Sequence, residues 1–413
     1  MALSSLWNRR GSALLTLASL TISMAIVIGV EHLRAQAESS FVRTISGTDL
    51  LVGARTSQIN LLLYSVFRIG NPTNGINWSS YQEVTAREGI AWSIPLALGD
   101  SHRGYRVLGT SREYFTHFRY GDRESLRFTE GGPFSHPLHA VLGSEVASAL
   151  GYSVGEEIVL SHGVGNTSFV NHEELPFNVT GVLAGTGTPV DRTIHVTLQG
   201  IEAIHLGWQN GVQVMSPNLE PDDPRLAELQ PDQVTAFLLG LDSPMASFNL
   251  QRAINNYPRE PLTAVMPTVA LAELWQIVGT LENLLRVISL LVLVASLLGL
   301  CTMLLTSLRE RKRELALYRA IGARPLFIVG VIELEAVTMT VISAGLAYLA
   351  VAAGFLVMQN WLSTNYALLV SVWPSTPGIW LFMAGAVLAS ALLTLLPATI
   401  AYRRSLGDSL KVG

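Results

Sequence analysis

A single cysteine, Cys301, stands in 413 residues, so no internal disulfide braces the chain. Charge is scarce as well: Asp, Glu, Lys and Arg make up 14 % of the chain, about half the share usual in a soluble domain, roughly 25 %. The balance of signs is close to even, with net charge -4, which argues against a nucleic-acid partner. No GxxxxGK[ST] occurs, so the chain has no loop to cradle a nucleotide's phosphates. HExxH is missing too, which removes the commonest zinc-hydrolase pattern. One GxSxG does occur, Gly151-Tyr152-Ser153-Val154-Gly155, but between a helical and an extended stretch. A nucleophile elbow needs the reverse order, so a tight turn is expected.

Long apolar runs are what the chain has in plenty. Ala13–Val30, Val287–Leu308, about Ala336–Met358 and about Gly378–Ile400 carry 18 to 23 residues each without a charge. At 1.5 Å per residue each can cross a hydrocarbon core of about 30 Å, and only as a helix. Arg9 and Arg10 precede the first span. Arg309, Arg311, Lys312, Arg313, Arg319 and Arg324 follow the second, and Arg403, Arg404 and Lys411 follow the fourth, whereas Gln359 to Pro377 has no Lys or Arg. The positive-inside rule then places both termini and the basic segment in the cytoplasm. Arg9, Arg10, the first apolar run and Ala35-Gln36-Ala37 also imitate a secretory signal peptide, but the run is longer than such a segment needs, so a retained membrane helix is the reading adopted.

The expected fold is therefore a membrane protein with four transmembrane helices and a large mixed α/β domain of two subdomains between helices 1 and 2. The expected division is 1–12 cytoplasmic, 13–30 helix 1, 31–266 the large domain with an inserted subdomain at about 135–230, 267–286 a stalk helix, 287–308 helix 2, 309–325 a cytoplasmic helix, 336–358 helix 3, 378–400 helix 4 and 401–413 a cytoplasmic tail. Val234 to Leu241, Phe177 to Leu183 and Thr193 to Leu198 have the β-branched enrichment of strands. Ser144 ahead of Val146 and Leu150, with Gly151 after them, predicts a short capped helix leading to a strand. Residues 185–189 (GTGTP) and 221–224 (PDDP) read as loops.

Ahead of the second span Leu271, Leu274, Val278, Leu281 and Leu285 are spaced 3, 4, 3 and 4. This is the core face of an amphipathic helix, or the seam of a stalk continuous with the span; Gly279 is its weak point. In the third span Ser343, Ala347, Ala350 and Gly354 form a small-residue stripe suited to helix packing or self-association. Leu315, Tyr318 and Ile321 share one face of the basic segment while Arg311, Lys312, Glu314 and Arg319 are polar, which suits a partner's groove or an anionic lipid surface. All nine histidines precede the second span, in the segment assigned to the large domain. His136, His139, His172 and Glu173 are the residues that could suit zinc. Pro137 between the first two and the divergence of side chains in an extended HxxH argue against a site, so no metal ligand is assigned.

Leu308 to Pro325 (LRERKRELALYRAIGARP), then IELEA at Ile332 to Ala336, and a last helix ending LLPATIAYRRSLGDSLKVG resemble the permease domain shared by MacB, the lipoprotein-release permeases LolC and LolE, and FtsX. Gly47 to Gly70 and Val141 to Leu160 resemble the porter-like and inserted subdomains of MacB-type periplasmic domains. The resemblance implies an inner-membrane permease subunit, not an enzyme, with ATP and magnesium held by a separate ABC ATPase. Arg311, Glu314, Leu315, Tyr318, Arg319, Ile321 and Gly322 would be the ATPase-coupling residues. A second permease copy or a related permease, a periplasmic binding or adaptor protein and membrane lipids are the other implied partners. Similar permeases stand beside zinc-responsive periplasmic proteins, which implies a zinc connection for the system. A membrane-tethered scaffold, signalling protein or enzyme is the alternative reading.

Overall fold

The computed structural model describes residues 10–162, 175–206, 208–209, 212–213, 219–310, 323–366 and 370–407. They gather into two compact units, an α/β domain (Glu38–Ile277 with Leu362–Leu369) and a helical unit (Met1–Ala37, Val278–Trp361 and Val370–Gly413).

The α/β domain is organised by one mixed sheet. Its main strands are β1 (Leu50–Ala54), β2 (Ile90–His102), β3 (Tyr105–Thr110), β4 (Phe128–Gly131), β5 (His139–Leu142), β6 (Phe177–Leu183), β7 (Thr193–Thr197), β8 (Ala236–Leu241) and β9 (Leu262–Val265). They lie in the order β9-β1-β8-β2-β3-β7-β5-β6-β4. Only β3·β7 and β5·β6 pair in parallel; the other neighbours are antiparallel. A parallel pair needs a crossover, and β5 to β6 has one in α2 (Ser144–Leu150). The inserted subdomain supplies β5, β6 and β7, and it joins the rest at two seams, Ile194 beside Val107 on β7 and β3 and Gly181 beside Gly131 on β6 and β4.

One apolar core crosses the first seam, with Val141, Leu183 and Val190 of the insert against Leu51, Leu96 and Leu108, and two more lie largely to either side of it. Val146, Phe177, Val179, Val196 and Ile204 pack together in the insert, and Leu50, Val52, Phe237, Leu239 and Ile254 in the remainder. Phe177 to Leu183 is β6, with the alternation that predicted it. The extended run from Thr193 ends at Thr197, whose hydroxyl accepts from the Gly200 amide and so starts α3 (Leu198–His205) one residue earlier than expected. The run from Val234 is interrupted. Gln233–Val234 pairs with Ile76–Asn77, and β8 begins at Ala236.

Ser144 is the first helical residue of α2 and not its cap; Gly143 holds that place without a side-chain bond. The reason is crowding, because a Cβ on Gly143 would meet the backbone oxygens of Val190 and Asp191 at 2.3 and 2.4 Å. Gly151 ends α2 at φ 72°, a left-handed angle that glycine adopts without strain. The close approach at Gly143 places Asp191 under the 185–189 loop. Its carboxylate accepts from the Thr186 amide at 2.8 Å, the Thr186 hydroxyl at 2.8 Å and the Gly187 amide at 2.7 Å.

The helical unit is built from most of the membrane-length helices α1 (Arg10–Arg43), α4 (Pro267–Glu310), α5 (Pro325–Tyr366) and α6 (Pro377–Gly407). Each is long and apolar enough to cross a membrane. The helices extend beyond the apolar segments, since charged residues end a hydrophobic run without ending helix propensity. Leu20 and Met24 of the first helix, Leu297 of α4, Ile332 and Ala347 of α5, and Ala386 of α6 share one apolar core. Of the small-residue stripe, Ser343 and Ala347 are sealed, and the Ser343 hydroxyl donates to the Leu17 carbonyl at 3.4 Å. Ala350 and Gly354 are exposed, and the buried face passes to Val351 and Ala352.

Candidate functional site in the helical unit and the α/β domain

The helices are tied by polar groups as well as by packing. The hydroxyls of Ser23 and Ser296 meet at 2.5 Å, joining the first helix to α4. The Thr394 hydroxyl on α6 donates to Glu333 Oε2 on α5 at 2.9 Å. Pro397 lies inside α6 and has no N–H, so the helix cannot satisfy the Leu393 carbonyl one turn back. Cys301 Sγ of α4 stands 3.7 Å from that carbonyl and donates to it. The lone cysteine thus repairs a proline break in a neighbouring helix.

At the other end of the unit Arg34 Nε lies 2.7 Å from Glu282 Oε2, and Arg286 Nη2 lies 2.6 Å from Glu31 Oε2. Beside this pair of bridges His32 is buried, its Nε2 2.7 Å from the Ser371 carbonyl and its ring edge-on to Phe355. His32 therefore belongs to a membrane-length helix and not to the α/β domain assigned to it, because that helix runs well past Val30. The ion pairs carried a weak signal in the sequence, Glu31 and Arg34 at i, i+3 and Glu282 and Arg286 at i, i+4 flanking two apolar runs.

Two models of known families cover most of the chain. The FtsX-like permease C-terminal model matches residues 286–410, and the MacB-like periplasmic core domain model matches residues 13–270. The chain belongs to the MacB/FtsX-type permeases. As such it is a multi-pass membrane protein and a permease subunit of an ABC transporter, a component that is generally not catalytic and works with ABC ATPase partners. No curated protein matches the permease. Among solved structures, the periplasmic region of MacB from Actinobacillus actinomycetemcomitans is 12 % identical, with 59 % of this chain and 96 % of that chain covered at a TM-score of 0.34. The extracellular domain of the noncanonic ABC-type transporter YknZ from Gram-positive bacteria is 12 % identical, covering 53 % of this chain and 99 % of that one at a TM-score of 0.31.

The permease's coupling candidates, Arg311, Glu314, Leu315, Tyr318, Arg319, Ile321 and Gly322, lie outside the described residues, as do His172 and Glu173. All five stalk residues lie on α4. Leu271 is buried in the apolar core of the α/β domain, Leu274 and Val278 are half-buried, and Leu281 and Leu285 are 61 % and 42 % exposed. The last two are therefore not a core face. Below them α4 buries a different line, Ser289, Leu293, Ser296, Leu300 and Leu304.

His136 and His139 do not diverge as an extended HxxH would. A turn, with the His139 amide donating to the His136 carbonyl at 3.1 Å, brings their rings to 5.5 Å. The His139 Nδ1 accepts from the amides of Ser135 and His136 at 3.1 and 3.2 Å, and burial followed by the charge of His136 lowers its pKa. No cluster of three metal-capable side chains is found among the described residues. Ser153 sits in an exposed turn, and the nearby His102 bonds Tyr152 Oη at 3.0 Å instead.

A cleft of about 490 Å³ opens between α3 and the strap 231–235. Among the described residues its ionisable lining is Asp100, Glu202, His205 and Asp232, with no Lys or Arg. Asp100 is 3 % exposed, turned inward where the β2·β3 register slips between Leu98 and Ser101. Glu202 and His205 stand at i, i+3 on one face of α3, with His205 Nε2 3.5 Å from Asp100 Oδ1. Burial, then the charge of Asp232, raises the Glu202 pKa. Burial alone would lower that of His205, but the hydrogen bond and charge of Asp100 with the charge of Glu202 outweigh it and raise it. Glu202 and His205 stand together in the sequence, but Asp100 and Asp232 come from distant segments and left no local pattern.

Proposed function

We propose that the permease converts ATP hydrolysis by a separate ABC ATPase into movement of its α/β domain, by mechanotransmission through α4. In this reading it acts as a dimer, with itself or a related permease, in a cell inner membrane. Both termini and the basic segment face the cytoplasm and the α/β domain faces the periplasm, as the positive-inside rule requires. There a periplasmic binding or adaptor protein would meet it.

The observation that carries the reading is α4 itself. It runs unbroken for 44 residues, about 66 Å at 1.5 Å each, and so about twice the thickness of a hydrocarbon core of about 30 Å. One end is anchored by Leu271 in the α/β core, and the other leads into the basic segment. A displacement can be passed along such an element only if both of its ends are stabilised differently in two states. Gly279 is the soft point, and a Cβ there would meet nothing within 4 Å. ATP and magnesium belong to the partner, and this chain is proposed to hold no cofactor of its own. The zinc connection rests on resemblance alone.

Two variants purified from membranes test the reading. Leu315→Asp places a charge on the docking face, costing several kcal/mol (about 2 to 5) if it is buried unpaired; the variant inserts normally but loses its ATPase on copurification. Leu281→Pro removes a helix bond and clashes with the preceding turn, at about 3 kcal/mol or more; it keeps the ATPase and loses transport-dependent growth. Wild-type ATPase retention by Leu315→Asp, or unimpaired growth with Leu281→Pro, refutes the corresponding half.

A further inference from the structure

The cleft between α3 and the 231–235 strap has the size of a small-molecule site and ionisable groups of unusual composition. Three carboxylates and one imidazole face it, so it repels anions and offers a neutral ligand no advantage. The carboxylates come from three elements, β2 (Asp100), α3 (Glu202) and the strap (Asp232), and among the described residues no three metal-capable side chains converge on a point. A bare metal ion can satisfy one edge of such a cleft. A ligand whose positive charges are separated by a hydrocarbon stem can satisfy several. The wall between the carboxylates suits the stem, being built from Ala97, Leu98, Leu198, Ile201 and Val234.

We propose that this cleft binds a small organic polyamine, with ammonium groups on Glu202, Asp232 and Asp100 and its methylene stem on the apolar wall. His205 supplies an internal competitor. When protonated, it holds the Asp100 carboxylate at 3.5 Å and reduces the charge a ligand meets. The groups that face His205 are Asp100 from β2 and Glu202 from its own helix, with Asp232 across the cleft. Acid therefore acts twice in one direction, charging His205 and neutralising Glu202. Binding tightens as pH rises through the pKa values of those two groups. This inference stands independently of how the permease couples to its ATPase.

The test uses the full chain in detergent, titrated calorimetrically with putrescine and spermidine at pH 8 and pH 5.5. Saturable one-to-one binding is expected at pH 8, weakened at least tenfold by Glu202→Gln and by Asp232→Asn, and weakened severalfold in the wild type at pH 5.5. His205→Gln should flatten the pH dependence while retaining binding at pH 8. Diacetylputrescine, with the same stem and no charge, should not bind. Asp232 is exposed, so its variant folds even where a change at Glu202 disturbs α3. The proposal is overturned by absence of saturable binding, by binding that both carboxylate variants leave intact, by equal binding of the diacetyl compound, or by calcium or zinc chloride displacing spermidine at equimolar concentration.

Discussion

Both units seal apolar side chains, Phe177, Phe237, Leu62 and Ile94 in the α/β domain and Leu20, Met24 and Leu300 in the helical unit, but only the helical unit also turns long rows of leucine outward, among them Leu284, Leu291, Leu388 and Leu392, while sealing Ser23, Ser296, Ser343 and Thr394. Each arrangement follows from its solvent. Water expels apolar area into a core, at about 25 cal/mol per Å². Hydrocarbon gives leucine no reason to leave the surface, so helices associate through small residues, close packing and hydrogen bonds. One chain thus tolerates different surfaces on either side of a boundary, and the composition averaged over both describes neither.

The largest test of the contrast is a pair of truncations. Phe177→Ala empties a site closed by Gly200 and the Pro137 carbonyl, and should cost the α/β domain about 3 to 5 kcal/mol. Leu291→Ala, on an exposed face of α4, should change the melting of the helical unit in detergent by less than about 0.5 kcal/mol. Comparable losses at the two positions would mean that Leu291 is covered by a partner.

Acid should separate the units next. His195 is fully buried against Tyr114, and burial, then the charge of Arg68, lowers its pKa to about 3. A base held neutral in the fold but free to protonate when unfolded contributes stability above about pH 6.5, and loses it as pH falls toward the folded value. By pH 5 the α/β domain should be about 2 kcal/mol less stable than at pH 7. Chemical denaturation at both pH values measures this, and His195→Gln should reduce the dependence. The smallest effect belongs to the bundle: Ser296→Ala removes the bond to Ser23 and should cost about 0.6 kcal/mol. A loss several times larger in a detergent unfolding titration would show that the hydroxyl pair is more than a packing contact.

What could be read from the sequence follows from how local each signal is. Four spans announce themselves because 18 to 23 uncharged residues in a row seldom occur outside a membrane helix, and Phe177 to Leu183 was recognisable by alternation. The 3-4 spacing of Leu271 to Leu285 correctly marked a helix but not its buried face, since periodicity records a stripe without saying what covers it. Ser144 looked like a cap because sequence shows residue type and not the crowding at Gly143. The cleft was illegible: Asp100, Glu202 and Asp232 are brought together by sheet order, and nothing near any one of them points to the others.

The seam between β3 and β7 bears on how this protein can be divided. All five residues of β7 are buried and its ladder to β3 runs from Thr193 to Thr197. The insert also pairs through β6 with β4, so excising it would leave raw edges on β3 and β4 of one fragment and on β7 and β6 of the other, with unpaired amides and carbonyls facing water. Such pieces would pair with copies of themselves and precipitate. The insert shares strands and an apolar core with its surroundings, and a graft from a related protein would have to carry β3 and β4 with it.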